Sequence, residues 1–540
     1  MRRFVFVSLI CASILAMTAC GSTRATTPTP GSNGTDVEQG VLRVAALYDI
    51  STMDVSQTTD DYMVPMNVFD RLFESEVQSD GSTAIVSSLC ESYTVSDDGL
   101  TYTFTLKDGI VFSNGNALTA DDVQYTFERL LTAGVNDDIP LEVVGAEALQ
   151  NGEADTLEGF AVIDDTHFSI TLNTANAGFL AELTSPAMSI VDKETVESVA
   201  NFGLSCEDTV GTGPYKVTEW VVNDHFTLEY NDKYWGEVPS VKKAIVSIIP
   251  DPSTQNLMYQ NGELDIIDLE ALDSSIVEAT YKAQYADKLV VSSRVGLTYF
   301  ALNENNQYLS DVNVRKALQM AVDADTIVSS IYAGNAMVEN GIIPKGVWGF
   351  NKDLTRSAYD PEGAKALLAD AGYADGEISF ELSMDSSASS NLQLVYQVVQ
   401  QNLQSIGINA GIKSYDESSW LDLRKSGEMD SFIATWTMDY NDPANIMYTF
   451  FGSAAKTRIR SLNYSDTEVM ARVAAASGIT DDAKRMAEYQ ALERKIVVDD
   501  AAWVPLLGST HLFAIGDRVE SFIPYWAGFS NFYVNDVTLK

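Results

Sequence analysis

Residues 101–123 read TYTFTLKDGIVFSNGNALTADDV, and this stretch decides the fold class. Every second residue of 102–106 is apolar, which predicts a strand with one buried face. Lys, Asp and Gly at 107–109 predict a turn, an apolar triplet follows, and Asn-Gly at 114–115 predicts a second turn. The first part of the stretch therefore predicts strands joined by tight turns.

The second part of the stretch predicts a helix. Thr119 and Asp122 have the spacing of a capping box, in which the two residues satisfy each other's free backbone N–H groups. Farther along, Asp360 before Pro361 predicts another helix start. A helical pattern over 392–406 then precedes a strand-like run. Helices that alternate with strands predict an α/β fold.

Length and charge limit the possible partners. A chain of 540 residues with 46% hydrophobic residues is long enough to form at least two lobes with full cores. It contains 34 Lys and Arg residues and 76 Asp and Glu residues, which gives a formal net charge of -42. Because such a field repels polyanions, nucleic acid and anionic lipid surfaces are not expected partners.

The N-terminus has the pattern of an export signal. A basic start, Met1 to Arg3, precedes the apolar run 4–17 and a small-residue cleavage site that ends at Cys20. Residues 1–19 are therefore predicted to be a signal peptide. The cleavage site resembles the lipobox of bacterial lipoproteins, which implies that Cys20 is acylated; an ordinary signal peptide with an incidental Cys is the alternative. Residues 20–40, rich in Ser, Thr, Gly and Pro, are predicted to be a disordered tether after this Cys.

Two cysteines remain in the mature chain, Cys90 and Cys206. In an exported protein a pair of cysteines favours one disulfide. Two buried free thiols are the alternative. The sequence predicts the disulfide.

A polar tip follows an apolar run near residue 433. Trp436, Asp439 and Tyr440 lie in a segment that ends in Asp442 and Pro443, a pattern typical of a strand end that exposes polar groups. An aromatic face beside a carboxylate suits a ligand with a cationic group on an apolar body. The alternative is a turn in which a carboxylate caps its own backbone.

Several blocks of the sequence resemble one protein family. The segments 98–104, 106–115 and 118–123, and farther along 211–215 and 231–236, are similar to solute-binding protein family 5. Matches of this kind spread along almost all of the mature chain. The family holds oligopeptide-, dipeptide- and nickel-binding receptors of ABC importers.

The resemblance implies an α/β, two-lobed fold like that of type II periplasmic binding proteins, with an extra small domain. The lobes would close on a ligand cleft by a hinge motion. Domain I would comprise 41–57, 208–293 and 496–540. Domain II, the small extra domain, would be 58–207, and domain III, the second ligand-binding lobe, would be 294–495.

The resemblance also implies a ligand site. In the peptide receptors of the family an Asp in this position holds the α-ammonium of the ligand, which here implies Asp439. Main-chain groups of the first strand's end and of the tip segment would pair with the ligand backbone, as in strand addition. The further candidates are Tyr48, Asp49, Ile50, Trp436, Thr437 and Tyr440. Some receptors carry an Arg three residues before the Trp for a ligand carboxylate, but this chain has Ile433 there, and Arg294 is the candidate substitute.

The implied function is that of the substrate-binding lipoprotein of an ABC importer. It would capture di- to oligopeptides and deliver them to permease transmembrane subunits with their ATPase. It would act as a monomer without a cofactor, held by its lipid at the outer face of the cytoplasmic membrane or in the periplasm.

Three alternatives remain open at this point. An oligosaccharide could stack on aromatic residues, for which Trp436, Tyr440, Tyr525 and Trp526 are candidates. A metal chelate is the second alternative, although no His lies near the tip segment. A secreted hydrolase is the third, but the three His residues lie in no recognisable catalytic motif, so no catalytic or metal-binding residue is assigned.

Cys20→Ala tests the lipid anchor. Without the acylated thiol the mature protein should leave the membrane fraction, because the tether has no apolar segment that could hold it there. Fractionation of cells followed by immunoblotting measures this change. Cys11→Ala, which alters the predicted signal peptide only, is the matched control. Retention of the Cys20→Ala protein in membranes would contradict the prediction.

Overall fold

The structure is a computed structural model that describes residues 40–58, 62–78, 83–293, 295–333, 335–527 and 533–540. The predictions for the signal peptide, Cys20 and the tether up to residue 39 lie outside the described residues, as does Arg294. Within these ranges strands and helices alternate along the chain, and the predicted α/β class is confirmed.

The strands of the described residues, in chain order, are β1 (Val41–Ala46), β2 (Phe73–Val77), β3 (Thr83–Ser87), β4 (Cys90–Val95), β5 (Thr101–Leu106), β6 (Phe160–Val162), β7 (His167–Thr171), β8 (Tyr215–Val221), β9 (His225–Tyr230), β10 (Lys243–Ile248), β11 (Ile266–Asp268), β12 (Leu289–Ser293), β13 (Gly296–Leu302), β14 (Ala336–Val338), β15 (Ser379–Asp385), β16 (Asn409–Tyr415), β17 (Ser431–Thr437), β18 (Trp503–Ile515), β19 (Val519–Phe522) and β20 (Val537–Leu539).

The α-helices of the same residues are α1 (Met63–Val68), α2 (Ala120–Ala133), α3 (Ala146–Gln150), α4 (Phe179–Glu182), α5 (Lys193–Ser198), α6 (Pro252–Gln260), α7 (Ser274–Ile276), α8 (Val312–Ala321), α9 (Ala324–Ser330), α10 (Pro361–Asp370), α11 (Ser390–Ser405), α12 (Glu417–Ser426), α13 (Ala444–Phe451), α14 (Ala454–Ile459), α15 (Thr467–Ala476) and α16 (Asp482–Arg494). None of the helices in this part of the chain has the length and apolar character needed to cross a membrane.

The stretch that opens the sequence analysis folds largely as predicted. β5 buries every second side chain and lies inside a four-stranded sheet of order β4-β5-β7-β6. The predicted second strand is shorter than expected, because only Val111 and Ala117 form a bridge there. The capping box is confirmed: a carboxylate oxygen of Asp122 accepts the Thr119 N–H at 2.9 Å, and α2 starts at the next residue.

Two larger sheets make up the rest of the fold. β1 pairs in parallel with β10, and β10, β9 and β8 continue as an antiparallel meander. The second sheet has eight strands, with the order β11-β18-β13-β17-β15-β16 and with β12 and β14 also paired to β18. Helices α8, α10 and α11 cover this sheet and bury apolar residues such as Leu318 and Val399.

A long antiparallel ribbon joins these parts of the molecule. The first half of β18 pairs with β13, and its second half pairs with β12. Because β12 and β13 are nearly consecutive in sequence, the two segments run side by side through the same region. The domain boundaries themselves stay a prediction; β18, which lies after the boundary predicted near 496, pairs with strands on both sides of the boundary predicted near 294.

The predicted disulfide is wrong in this structure. Cys90 and Cys206 are free thiols. Cys90 is buried in the core of the sheet β4-β5-β7-β6, where its Sγ contacts the Ser92 carbonyl oxygen at 3.2 Å. Cys206 packs against a different hydrophobic cluster, which contains β1 and β8 to β10. The two side chains belong to separate cores, and this separation explains why they do not pair.

A buried carboxyl group in α16 gives the fold a pH dependence. One oxygen of Glu493 accepts the backbone N–H groups of Ile342 and Ile343 at 2.7 and 2.8 Å, and the residue is 1% exposed. Burial raises the pKa of Glu493 to about 7, because the charged form loses hydration. In the unfolded chain the pKa of Glu is about 4.3.

Glu493→Gln should therefore flatten the pH dependence of stability. The folded wild type binds a proton more tightly than the unfolded chain, so Glu493 costs stability as pH rises from about 4.5 through about 7, by up to about 3 kcal/mol. Gln keeps the acceptor oxygen without the charge. Urea unfolding across this pH range should show that the free energy of unfolding of the variant increases relative to that of the wild type as the pH rises. Glu417→Gln, at an exposed position of α12, is the control, and parallel pH profiles for Glu493→Gln and wild type would contradict the prediction.

Candidate functional site

A cavity of about 1490 Å³ contains the predicted site. One wall is the segment 44–51, at and after the carboxyl end of β1, and another is the segment 435–449, at and after the end of β17. Residues 136–142 and 173–187 form a third wall. The ends of two strands from different sheets thus line one cavity.

Asp439 is a half-buried carboxylate on the wall of this cavity. Its Oδ2 accepts a hydrogen bond from Asn445 Nδ2 at 3.0 Å. Burial raises the pKa of Asp439, while the hydrogen bond from Asn445 and the positive charge of Arg460 oppose this shift. No ion pair within 4.0 Å involves Asp439 among the residues that the structure describes. A carboxylate in this state is stabilised when a cation reaches it.

Asn445 positions both candidate side chains of the tip. It lies in the first turn of α13 and is 4% exposed. Its Oδ1 accepts the indole N–H of Trp436 at 2.9 Å, and its Nδ2 binds Asp439. One amide side chain therefore fixes the aromatic face and the carboxylate relative to each other. Sequence reasoning missed Asn445, although it follows the tip segment by only two residues.

Two guanidinium groups also line the cavity. The Cζ of Arg460 lies 5.0 Å from the ring centroid of Trp436, and the Cζ of Arg424 lies 5.2 Å from that of Trp420. Within the described residues neither guanidinium forms an ion pair or donates a hydrogen bond, and the Nε atom of each is buried without a partner. Burial and the charge of Arg460 lower the pKa of Arg424. Stacked, planar guanidiniums without an anion suit a carboxylate of a ligand.

The segment after β1 lines the cavity, as predicted, but the Asp49 side chain is hydrogen-bonded to other residues of the protein. Tyr48, Asp49 and Ile50 line the cavity, and Tyr48 is 82% exposed. The carboxylate of Asp49 accepts the Trp220 indole N–H at 3.0 Å and the Asn223 N–H at 2.6 Å. The Asp49 side chain thus ties this segment to the hairpin of β8 and β9. The predicted main-chain pairing with a ligand stays a prediction.

The remaining candidate residues lie in two places, the cavity wall and the hydrophobic core. Thr437 and Tyr440 line the cavity with Trp436, and burial raises the pKa of Tyr440 well above its usual value. Tyr525 and Trp526 are each 4% exposed and belong to the hydrophobic core beside β13 and β18. The oligosaccharide alternative therefore loses two of its four stacking candidates.

A group with possible metal-ligating atoms lies near the cavity wall. His511 Nε2 is 2.8 Å from Asp268 Oδ2 and 3.7 Å from Glu270 Oε2, and the three ligand atoms lie within 4.8 Å of one another. The sequence predicted no metal ligand, because His511 is far from both carboxylates in the chain. β18 and β11 pair antiparallel and bring these residues together. Buried His511 also stacks on Phe513, so the group has a structural role in the strand pair.

Comparison with known proteins identifies the family of this chain. The family model described as "Bacterial extracellular solute-binding proteins, family 5 Middle" matches residues 84–458. The chain belongs to bacterial extracellular solute-binding protein family 5. This confirms the membership that the sequence blocks predicted. Family 5 proteins are solute-binding receptors, and the family name describes them as extracellular.

The curated and solved relatives of this family 5 chain match nearly its whole length. It is 27% identical to the dipeptide-binding protein of Escherichia coli over 95% of this chain and 94% of that protein. It is 28% identical to heme-binding protein A of Haemophilus influenzae over 86% of each chain. The periplasmic binding protein DppA from Helicobacter pylori, solved with the peptide STSA, matches at 27% identity with a TM-score of 0.72 over 93% of this chain and 98% of that chain. The predicted two-lobed fold is confirmed.

Proposed function

We propose that the protein is the substrate-binding lipoprotein of an ABC importer and captures peptides outside the cytoplasmic membrane. The observation that carries the proposal is Asp439, a half-buried carboxylate fixed by Asn445 beside Trp436 on the cavity wall. A peptide α-ammonium supplies the cation that this carboxylate lacks. The indole face beside it packs against the first residue of the peptide.

The two guanidiniums support a ligand with charges of both signs. Arg460 lies over the indole ring of Trp436. The N–H group of this indole donates a hydrogen bond to Asn445, which also binds Asp439. An ammonium and a carboxylate of one ligand therefore find complementary groups a short distance apart. A free peptide carries both charges. Arg424 and Arg460 are therefore our candidates for the role of the Arg that this chain lacks at position 433; Arg294, the candidate from the sequence, lies outside the described residues.

The two strand ends support main-chain recognition. Residues 48–50 and 436–437 line the same cavity from different sheets. Backbone groups at these ends can pair with an extended peptide without reading its side chains, which allows many sequences to bind. Relatives named as dipeptide-binding and di/tripeptide-binding proteins fit this assignment.

The remaining parts of the proposal follow from export and family. The protein delivers its ligand to the permease transmembrane subunits and their ATPase, is anchored through Cys20, acts as a monomer and catalyses no reaction.

Calorimetry with defined ligands tests the proposed function. Alanine peptides of two, three and five residues should bind with micromolar or tighter affinity, since each of them carries the α-ammonium that Asp439 is proposed to hold. Cellobiose, maltotriose and a nickel–histidine chelate are the comparison ligands, because they represent the sugar and metal-chelate alternatives. Flat titrations with every peptide, together with heat from a sugar or the chelate, would contradict the proposal and favour the sugar or metal-chelate alternative.

Asp439→Ala and Asp439→Asn test the ammonium site. Loss of the carboxylate should cost on the order of 2–5 kcal/mol of peptide affinity, because the ligand's charge is then buried without a partner. Asn keeps a similar shape and polarity, so an equal loss in both variants assigns the effect to charge. Asp422→Ala, at an exposed position of α12, is the control. Unchanged peptide affinity in the Asp439 variants would remove Asp439 from the site.

A further inference from the structure

The third wall of the cavity is acidic. Asp138, Glu142, Glu147 and Glu182 all line it and are called here the acidic wall. The cations that line the cavity come from a different part of the chain, namely Arg424, Lys425, Lys456 and Arg460. The cavity is therefore polarised: four carboxylates line it from the 136–187 side, and four cations together with Asp439 line it from the 421–460 side.

Two carboxylates of the acidic wall lack a cation. One side-chain nitrogen, Asn176 Nδ2, donates to Glu142 Oε2 at 2.8 Å and to Glu182 Oε1 at 2.9 Å. Glu182 is 2% exposed, and its Oε2 has no hydrogen-bond partner within 3.5 Å among the described residues. Burial raises the pKa of Glu142 to about 6 and that of Glu182 well above its usual value, and the charge of Glu142 raises the Glu182 pKa further. Two adjacent, poorly hydrated carboxylates favour a bound cation.

The nearby cations of the protein are engaged elsewhere. Lys456 Nζ is 2.8 Å from Asp138 Oδ1, and Arg485 Nη1 is 2.6 Å from Asp442 Oδ2. Lys456 comes from α14, and its ion pair with Asp138, an exposed member of the acidic wall, shows that an alkylammonium reaches this wall. Glu142 and Glu182 form no ion pair with any described residue.

We propose that Glu142 and Glu182 form a subsite for a cationic side chain of the ligand, an alkylammonium or a guanidinium. This inference rests on the proposed peptide function and adds selectivity to it. Main-chain pairing at the strand ends accepts many sequences, whereas the pair of Glu142 and Glu182 favours peptides with a lysine-like or arginine-like residue. Asn176 is the positioning residue, because it holds both carboxylates through one amide.

Matched peptides test the subsite in the full mature protein. Norleucine has the aliphatic chain of lysine without the ammonium, so Ala-Lys-Ala and Ala-Nle-Ala, with the position of Lys also moved to residues one and three, isolate the charge. Calorimetry should give an affinity at least about tenfold higher for the best lysine peptide than for its norleucine partner. Glu142→Gln and Glu182→Gln should each remove most of this difference and leave the norleucine affinity unchanged.

The controls separate the possible results. Glu147→Gln changes an exposed carboxylate of the same wall and should keep the lysine preference. Equal affinities for lysine and norleucine peptides in the wild type would overturn the subsite while leaving the peptide function intact, as expected if the two carboxylates merely share a proton. A preference that persists in both Gln variants would also overturn it. Failure of every peptide to bind would overturn the proposed function and the subsite together.

Discussion

Partly buried charged groups that form no ion pair with any described residue determine which ligand chemistry suits the cleft. Asp439, the Arg424 and Arg460 pair, and the Glu142 and Glu182 pair all lie on the wall of one cavity. An ordinary surface charge gains little from a partner, because water already solvates it. These groups have lost part of that hydration, so a ligand that supplies the opposite charge recovers more free energy here than it would at an exposed site.

The scaffold explains why these groups stay in place. Trp436 lies in β17 and Asp439 follows the end of this strand; β17 is paired on one edge to β13, which is paired in turn to β18. Asn445 in α13 then holds both side chains by direct hydrogen bonds. A rigid strand end and a helix start thus position the carboxylate, and ordering it at the moment of binding costs little conformational entropy.

Local patterns were read correctly from the sequence, but contacts between distant segments were not. The alternation in 102–106, the box of Thr119 and Asp122 and the Asp360 cap depend on residues within one turn or one strand, and each is present. No local sequence pattern identifies Arg424 and Arg460 as site residues, because their role depends on the cavity that both of them line. The predicted disulfide between Cys90 and Cys206 failed for the same reason: cysteine number limits the possible pairs, whereas core membership decides whether a pair forms.

Polarisation of the cavity also bears on how its walls come together. Segments 136–187 and 421–477 already touch through the Ala177 N–H and the Ser477 carbonyl at 2.7 Å and through the ion pair of Lys456 with Asp138. Opposite charges on the two sides attract, yet each side also holds like charges that repel one another, such as Glu142 beside Glu182. Glu182 is already buried in this structure, so the repulsion is a penalty that persists until a ligand supplies a cation. A ligand with charges of both signs removes that penalty on both sides at once, which couples closure to the chemistry of the ligand.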